Sequence, residues 1–304
     1  MSRTRQPVSK RELKLARRTD DRVAFAAIAF NYVFIIAAAG MAVWIHRIPV
    51  TLIAIVIIAG RQSALQGLVH SACHYSLFSR KQDNIRFQFL FAYPILDCVP
   101  LYREQHLEHH RDFSLKTPDR FDYLYDCLQM SRQGIWNRTW VVFIRPLSGN
   151  AGIIFLSDTV KTLTGNPRET LRLVGYWTLV LFTAWWLGGL SIVFVYWIAP
   201  LVWLYPVLDI WAELSDHLNA EGESRNQIGF FYSAMFKGHE MYHAVHHLYP
   251  FIPFHRLRGI NDKLQQRGVV IESSRGPLDF LRIVYRGQAF TTGVISSSQA
   301  VPRR

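Results

Sequence analysis

The chain has 304 residues, 50% of them hydrophobic and 14% aromatic, with a formal net charge of +12. That is too apolar for an ordinary soluble domain and too short for a large transporter, and the basic residues flank apolar runs, which points to cytoplasmic flanks and anionic lipid and argues against a nucleic-acid partner. Cys73, Cys98 and Cys127 form no CxxC pair, which argues for a reducing compartment and against a disulfide framework, a thiolate zinc site or an iron–sulfur cluster.

Residues 1–22 form a basic segment in which Arg3, Arg5, Lys10, Arg11, Lys14, Arg17, Arg18 and Arg22 outnumber Glu12, Asp20 and Asp21. The apolar run Val23 to Ile45 is long enough to span a bilayer, which takes about 20 residues, and is too long and too late for a signal-peptide core. Its basic flank places the N-terminus in the cytoplasm. His46-Arg47-Ile48-Pro49 predicts a tight turn that leaves His46 alone on the far side, without a metal. A second span starts near Ile48 and returns. Gln62, Gln66, His70 and His74 follow at four-residue steps, each drifting about 40° around a helix, so they form one polar stripe. Arg61 lies at membrane depth, where a functional role and simple snorkelling are both open.

Phe87 to Val99 is apolar but shorter than a span, which predicts a re-entrant or interfacial helix broken near Pro94 and Pro100. Arg111 to Asp126 is charged. Ile135 to Leu163 mixes Trp136, Trp140 and Phe143 with Arg138, Arg145 and Lys161, as expected of helices lying on a membrane. A second hairpin follows: Leu171 to Leu187 outward, a turn at Gly188-Gly189, and Leu190 to Leu208 returning, kinked at Pro200 and Pro206. Asp209, Glu213 and His217 then repeat the four-residue step. The tail from Gly268 is polar and is expected to fray. The expected fold is an all-α membrane protein: four transmembrane helices as two hairpins, with a cytoplasmic histidine-rich helical cap and interfacial helices. The expected divisions are a basic segment 1–22, a membrane domain 23–267 and a cytoplasmic tail 268–304.

Three histidine clusters lie on the cytoplasmic side of that topology: His70-Ser-Ala-Cys-His74, His106-Leu-Glu-His109-His110 and His243-Ala-Val-His246-His247. Positions i, i+3 and i+4 share one helix face, and chance surface histidines would not recur so. With His217 the clusters offer His70, His74, His106, His109, His110, His217, His243, His246 and His247. Nine imidazoles exceed what one ion accepts and suit two. Imidazole favours iron, zinc, copper or nickel, and structural zinc prefers four ligands, often thiolates. Two nitrogen-rich ions with open positions point to dioxygen chemistry, most simply on iron. Glu104, Glu108, Asp112, Glu213, Asp216 and Glu240 stand near these histidines as carboxylates that could orient the imidazoles.

HSACH, HLEHH and HAVHH, the last followed by Leu248-Tyr249-Pro250, resemble the three histidine boxes of the integral-membrane fatty acid desaturase superfamily, over roughly residues 25–260. The resemblance implies a non-haem di-iron enzyme with two iron ions, using O2 and two electrons to desaturate a fatty acyl or lipid alkyl chain. Asp216-His217 resembles the additional histidine that members place after the last span. His239 stands four residues before the third box, where many desaturases carry Asn, and is expected to contact the site through water or another residue while His217 is the direct ligand. An alkyl-chain or terpenoid hydroxylase or acetylenase on the same scaffold is the alternative. From other classes, a membrane metal-binding or transport protein would spread ligands through the membrane depth, and a di-haem carrier would place facing histidines deep in its spans. A C–H bond must be held against the metals and shielded from water, for which an apolar tunnel between the spans is expected. The chain has no GxGxxG, P-loop, ferredoxin cysteine set or His-Pro-Gly-Gly stretch. A separate ferredoxin or cytochrome b5 type donor with its reductase is therefore implied.

Overall fold

The computed structural model describes residues 8–111, 134–220 and 222–285; Asp112, Cys127 and the serine-rich end lie outside them. Helix α1 (Lys10–Ala16) precedes α2 (Asp21–Ile45) and α3 (Ile48–Cys73), which pack along each other. The turn between them closes on His46, in the left-handed region at φ 51°, and Pro49 occupies the first turn of α3. His46 is exposed there. The 26 residues of α3 separate that turn from His70 and His74 by most of a helix about 39 Å long. Val33, Ile36, Trp44, Ile48 and Ile53 are exposed on the outer surface of this pair, an apolar face of the kind that lipid covers.

Among the described residues, four helical runs are long and apolar enough to cross a membrane: α2, α3, Ile135–Thr164 (α6) and Leu190–His217 (α8). Short helix α4 (Asp83–Arg86) and α5 (Val99–Arg111) lie between α3 and α6, and α7 (Pro167–Trp186) lies between α6 and α8. The third run is not the expected one. Of the expected span Leu171 to Leu187, all but the last residue lies in a 20-residue helix, α7, which Leu187 caps, but Arg168, Glu169 and Arg172 in its first turns lower its apolarity. The α6 run qualifies by composition, yet Gly149 breaks it at φ 95°. Its arms of about 14 residues reach about 21 Å each, short of the roughly 30 Å of a hydrocarbon core. Gly188, at φ 69°, turns α7 into α8. The break in α8 falls at Trp203 (φ −116°, ψ −67°). Pro206 has no N–H for the Val202 carbonyl four residues earlier, and a Cβ on Gly152 of α6 would lie 1.9 Å from that same carbonyl oxygen.

Residues 88–95 form two short turns that end at Leu96, φ 59°. Three side chains hold this segment by its carbonyls: Trp177 Nε1 donates to Tyr93 O (3.0 Å), Trp197 Nε1 to Pro94 O (2.8 Å) and Tyr32 Oη to Leu90 O (2.8 Å). Gln88 Oε1 accepts from the Val99 N–H (2.9 Å), one of the orphan donors at the start of α5. Pro100 therefore begins a helix where a break was expected.

The C-terminal third folds onto α3 as α9 (Phe230–Met235), α10 (His243–Leu248), α11 (Phe254–Gln266) and α12 (Pro277–Tyr285), with a two-residue parallel pair, β1 (Asn226–Gln227) and β2 (Ser273–Ser274). Small residues admit it. A Cβ on Gly60 would lie 2.4 Å from Ala234 O, one on Gly67 2.9 Å from Lys237 O, and Gly238 packs on Ala64. Arg61 is buried and donates to Ser233 O (2.6 Å), Ala234 O (2.5 Å) and Asn31 Oδ1 (3.4 Å). Its role is thus to bind the last carbonyls of α9, and it does not snorkel. Gly60→Ala should lower the melting temperature of the detergent-purified protein by overpacking, a cost of about 1–3 kcal/mol. Gly40→Ala, with nothing within 4 Å, should instead gain up to about 1 kcal/mol of helix propensity. A higher melting temperature for Gly60→Ala would refute the close approach.

Both ends of the described chain pack at the histidine end. Val8, Leu13 and Ala16 join Val245, Tyr249, Ile252 and Leu257 in one apolar cluster. The expectation of a fraying tail from Gly268 does not hold for 268–285. Phe280, Ile283 and Val284 stand at i, i+3 and i+4 of α12 and are buried, with Phe280 against Trp211 (6.0 Å) and Phe143 (6.1 Å).

Candidate metal centre

Four helices bring the histidines together. His70 lies in the last turn of α3 and His74 just past it; His106, His109 and His110 share a face of α5; His217 ends α8; and His243, His246 and His247 belong to α10. The donor atoms of His70, His74, His106, His110 and His246 all lie within 4.8 Å of one another, as do those of His109, His217 and His247. A donor atom of His243 also lies within 4.8 Å of those of His70 and Glu240, but its Nε2 is 3.2 Å from His217 Nε2 and 3.0 Å from His247 Nε2, which assigns it to the second group. All nine expected histidines therefore fall into two adjacent groups, of five and four.

Their contacts suit cations better than one another. His106 Nε2 is 2.8 Å from His70 Nε2 and 3.0 Å from His110 Nε2, which is itself 3.2 Å from His246 Nε2. A neutral imidazole nitrogen is either a donor or an acceptor, so in such a chain one ring proton would have to serve two neighbours, whereas a cation takes a lone pair from each. His74 Nε2 is buried with no hydrogen-bond partner, an orphan of the kind a metal ion satisfies. Burial first, and neighbouring imidazoles second, push His106, His243, His246 and His247 well below the ordinary histidine pKa, and His110 to about 3. These side chains are therefore neutral at pH 7, the form that ligates.

Two of the outer ring nitrogens have protein partners that orient the ring. His70 Nδ1 is 2.7 Å from Glu240 Oε2, and Ser71 Oγ donates to Glu240 Oε1 (2.7 Å). His217 Nδ1 donates to Glu223 O (2.8 Å). In each case a proton on Nδ1 leaves the Nε2 lone pair for the cluster. Burial raises the Glu240 pKa to about 7, against the Ser71 hydrogen bond and the Lys237 charge. Tyr102 stacks on His106 at 5.2 Å.

Other expected residues are placed differently. Glu108 and Glu104 lie on the exposed face of α5. Asp216 Oδ1 accepts from Gln227 Nε2 (2.5 Å), and its Oδ2 is 3.9 Å from His243 Nε2. Glu213 Oε2 is 3.7 Å from His217 Nε2. His239 is not drawn into either group: its Nε2 is 3.1 Å from Asn31 Nδ2 and its ring 5.2 Å from Phe254. His239 and His243, four residues apart, do not share a helix face, because α10 begins at His243. Sequence reasoning missed Lys237 and Glu223, neither of which carried a spacing signal.

The model of the fatty acid desaturase family matches residues 42–270, a stretch that contains all nine histidines. Dihydrorhizobitoxine desaturase of Bradyrhizobium elkanii is 27% identical over 230 residues, covering 66% of this chain and 64% of that relative. The match thus spans just under two thirds of the relative's length.

Proposed function

Because this chain belongs to the fatty acid desaturase family, we propose that it is an O2-dependent membrane di-iron oxidase that introduces a double bond into a fatty acyl or lipid alkyl chain. The convergence of nine histidines into two groups carries this reading. Bound iron at these positions supplies O2 activation: two hydrogens leave adjacent carbons, two electrons and two protons enter, and two waters form.

The protein's part is to hold and to exclude. His70, His74, His106, His110 and His246 hold one iron; His109, His217, His243 and His247 hold the other. Glu240 and the Glu223 carbonyl fix the rings of His70 and His217. Burial of the cluster keeps bulk water from the reacting carbon, and an apolar path between the spans presents one methylene at a time. The histidine end, with the basic segment around α1, faces the cytoplasm. There a separate ferredoxin or cytochrome b5 type protein with its reductase delivers the electrons.

Desaturation is preferred to hydroxylation because the relative's name is that of a desaturase. The test is lipid and metabolite profiling of cells expressing the chain, beside cells expressing His247→Ala. A new double bond in an alkyl chain should appear with the native sequence alone. A new hydroxyl group in its place would move the assignment to the hydroxylase alternative, and no difference between the two profiles would refute an alkyl-chain substrate.

A further inference from the structure

The two histidine groups are unequal, five against four, and a carboxylate stands beside the smaller one. Glu213 precedes His217 by four residues on α8, so both side chains share a face. Its Oε2 is 3.7 Å from His217 Nε2, and its charge acts on His109 as well as His217. Two atoms bound to one ion at about 2.0–2.2 Å each are at most about 4.4 Å apart, so this separation fits an ion shared with His217, although Glu213 stands outside the set of His109, His217 and His247 whose donors all lie within 4.8 Å of one another. The other oxygen, Oε1, is taken by Lys237 Nζ in a buried ion pair. Lys237 is itself buried, and its backbone is held close to α3, where a Cβ added to Gly67 would lie 2.9 Å from its carbonyl oxygen. Asp216 meets the same limit at His243, with Oδ2 3.9 Å from its Nε2, but is the weaker candidate: it is one residue from His217, about 100° around the helix, and Gln227 already occupies its Oδ1.

We propose that Glu213 ligates the second iron through Oε2, giving that centre four imidazoles and one carboxylate oxygen, and that Lys237 positions Glu213 by holding Oε1 and so limits it to one-oxygen binding. Each ion then has five protein donors, but only one has a negatively charged ligand, so the two irons are electronically distinct. The proposal rests on the di-iron reading above and adds a ligand to it.

Iron per chain and Mössbauer spectra of the purified, iron-loaded full chain test it without any turnover. The native protein should hold about two irons in two distinct doublets, as a two-ion donor set requires. Glu213→Gln keeps the side-chain volume; it should drop to about one iron per chain, with the doublet of the five-histidine centre unchanged. Lys237→Met keeps Glu213 but frees Oε1; it should retain both irons and shift only the second doublet. Asp216→Asn should leave both doublets in place. Two unchanged doublets in both Glu213→Gln and Lys237→Met would overturn the proposal while sparing the di-iron reading. So would loss of a doublet in Asp216→Asn with Glu213→Gln unaffected. A native protein that binds no iron would remove both.

Discussion

Replacing His246 or His109 by Ala is expected to abolish turnover and release iron. Each side chain comes from a different group, His246 from the five-histidine set and His109 from the other, so the two variants test the two ions separately. His246 is buried, and its Nε2 sits 3.2 Å from His110 Nε2; removing it leaves a void lined by neutral imidazoles with no replacement donor. Loss of a partner outside the coordination shell costs about 10–100-fold in metal affinity, and loss of a ligand should exceed that. His46→Ala and His255→Ala should keep both iron and turnover, because His46 is exposed at the far turn and His255 belongs to neither group. The measurement is iron content beside turnover for all four variants. Full activity in His109→Ala would end the two-metal assignment.

That contrast shows which parts of the site could be read from the sequence. The histidine boxes were legible because a helix converts i, i+3 and i+4 into one face, and because the Gln62-Gln66-His70-His74 stripe fixes how α3 is turned. The structure uses that stripe as expected. Gln62 Nε2 donates to Trp197 O of α8 (3.0 Å), and His70 opens on the cluster. Beside it runs a second stripe, Gly60, Ala64, Gly67 and Ser71, which receives the 229–240 segment. Its signal, small residues at three- and four-residue spacing, was present but indistinguishable from an ordinary apolar helix without knowing what packs there.

Span assignment was harder for a physical reason. Hydropathy averages over a window, so it sees composition and not continuity. Ile135–Thr164 is apolar enough, but a single left-handed glycine divides it. The α7 helix is continuous, but three charges in its first turns lower the average. One of them, Glu169, is buried and accepts from Gln88 Nε2 (3.2 Å), Tyr93 Oη (3.1 Å) and Arg172 Nη1 (2.5 Å). A charge that reads as a membrane boundary is here a tie to the 88–95 segment. The tail erred in the same way: averaged polarity from Gly268 concealed the apolar face of α12.

His217→Ala should lose iron as severely as a box variant, whereas His239→Asn should keep most of its iron and part of its activity. By spacing alone the two histidines compete, since each stands four residues from a group that faces the site. Geometry separates them. His217 closes α8 with Nε2 3.2 Å from His243 Nε2, and its Nδ1 proton is committed to Glu223 O, so its free lone pair points at the second group. His239 lies outside any helix, beside Asn31 of α2 and Phe254 of α11. Burial, with the Arg61 charge second, lowers its pKa to about 4, so it is neutral at pH 7 and serves as an uncharged partner for the Asn31 amide. Asn in its place preserves a hydrogen-bonding amide at some loss of ring packing on Phe254. The cost should appear as a lower melting temperature, of the order of 1 kcal/mol for one hydrogen bond and its contacts, with the iron retained. Metal analysis giving the reverse pattern, iron lost from His239→Asn and kept by His217→Ala, would exchange the two roles and undo the second centre as drawn.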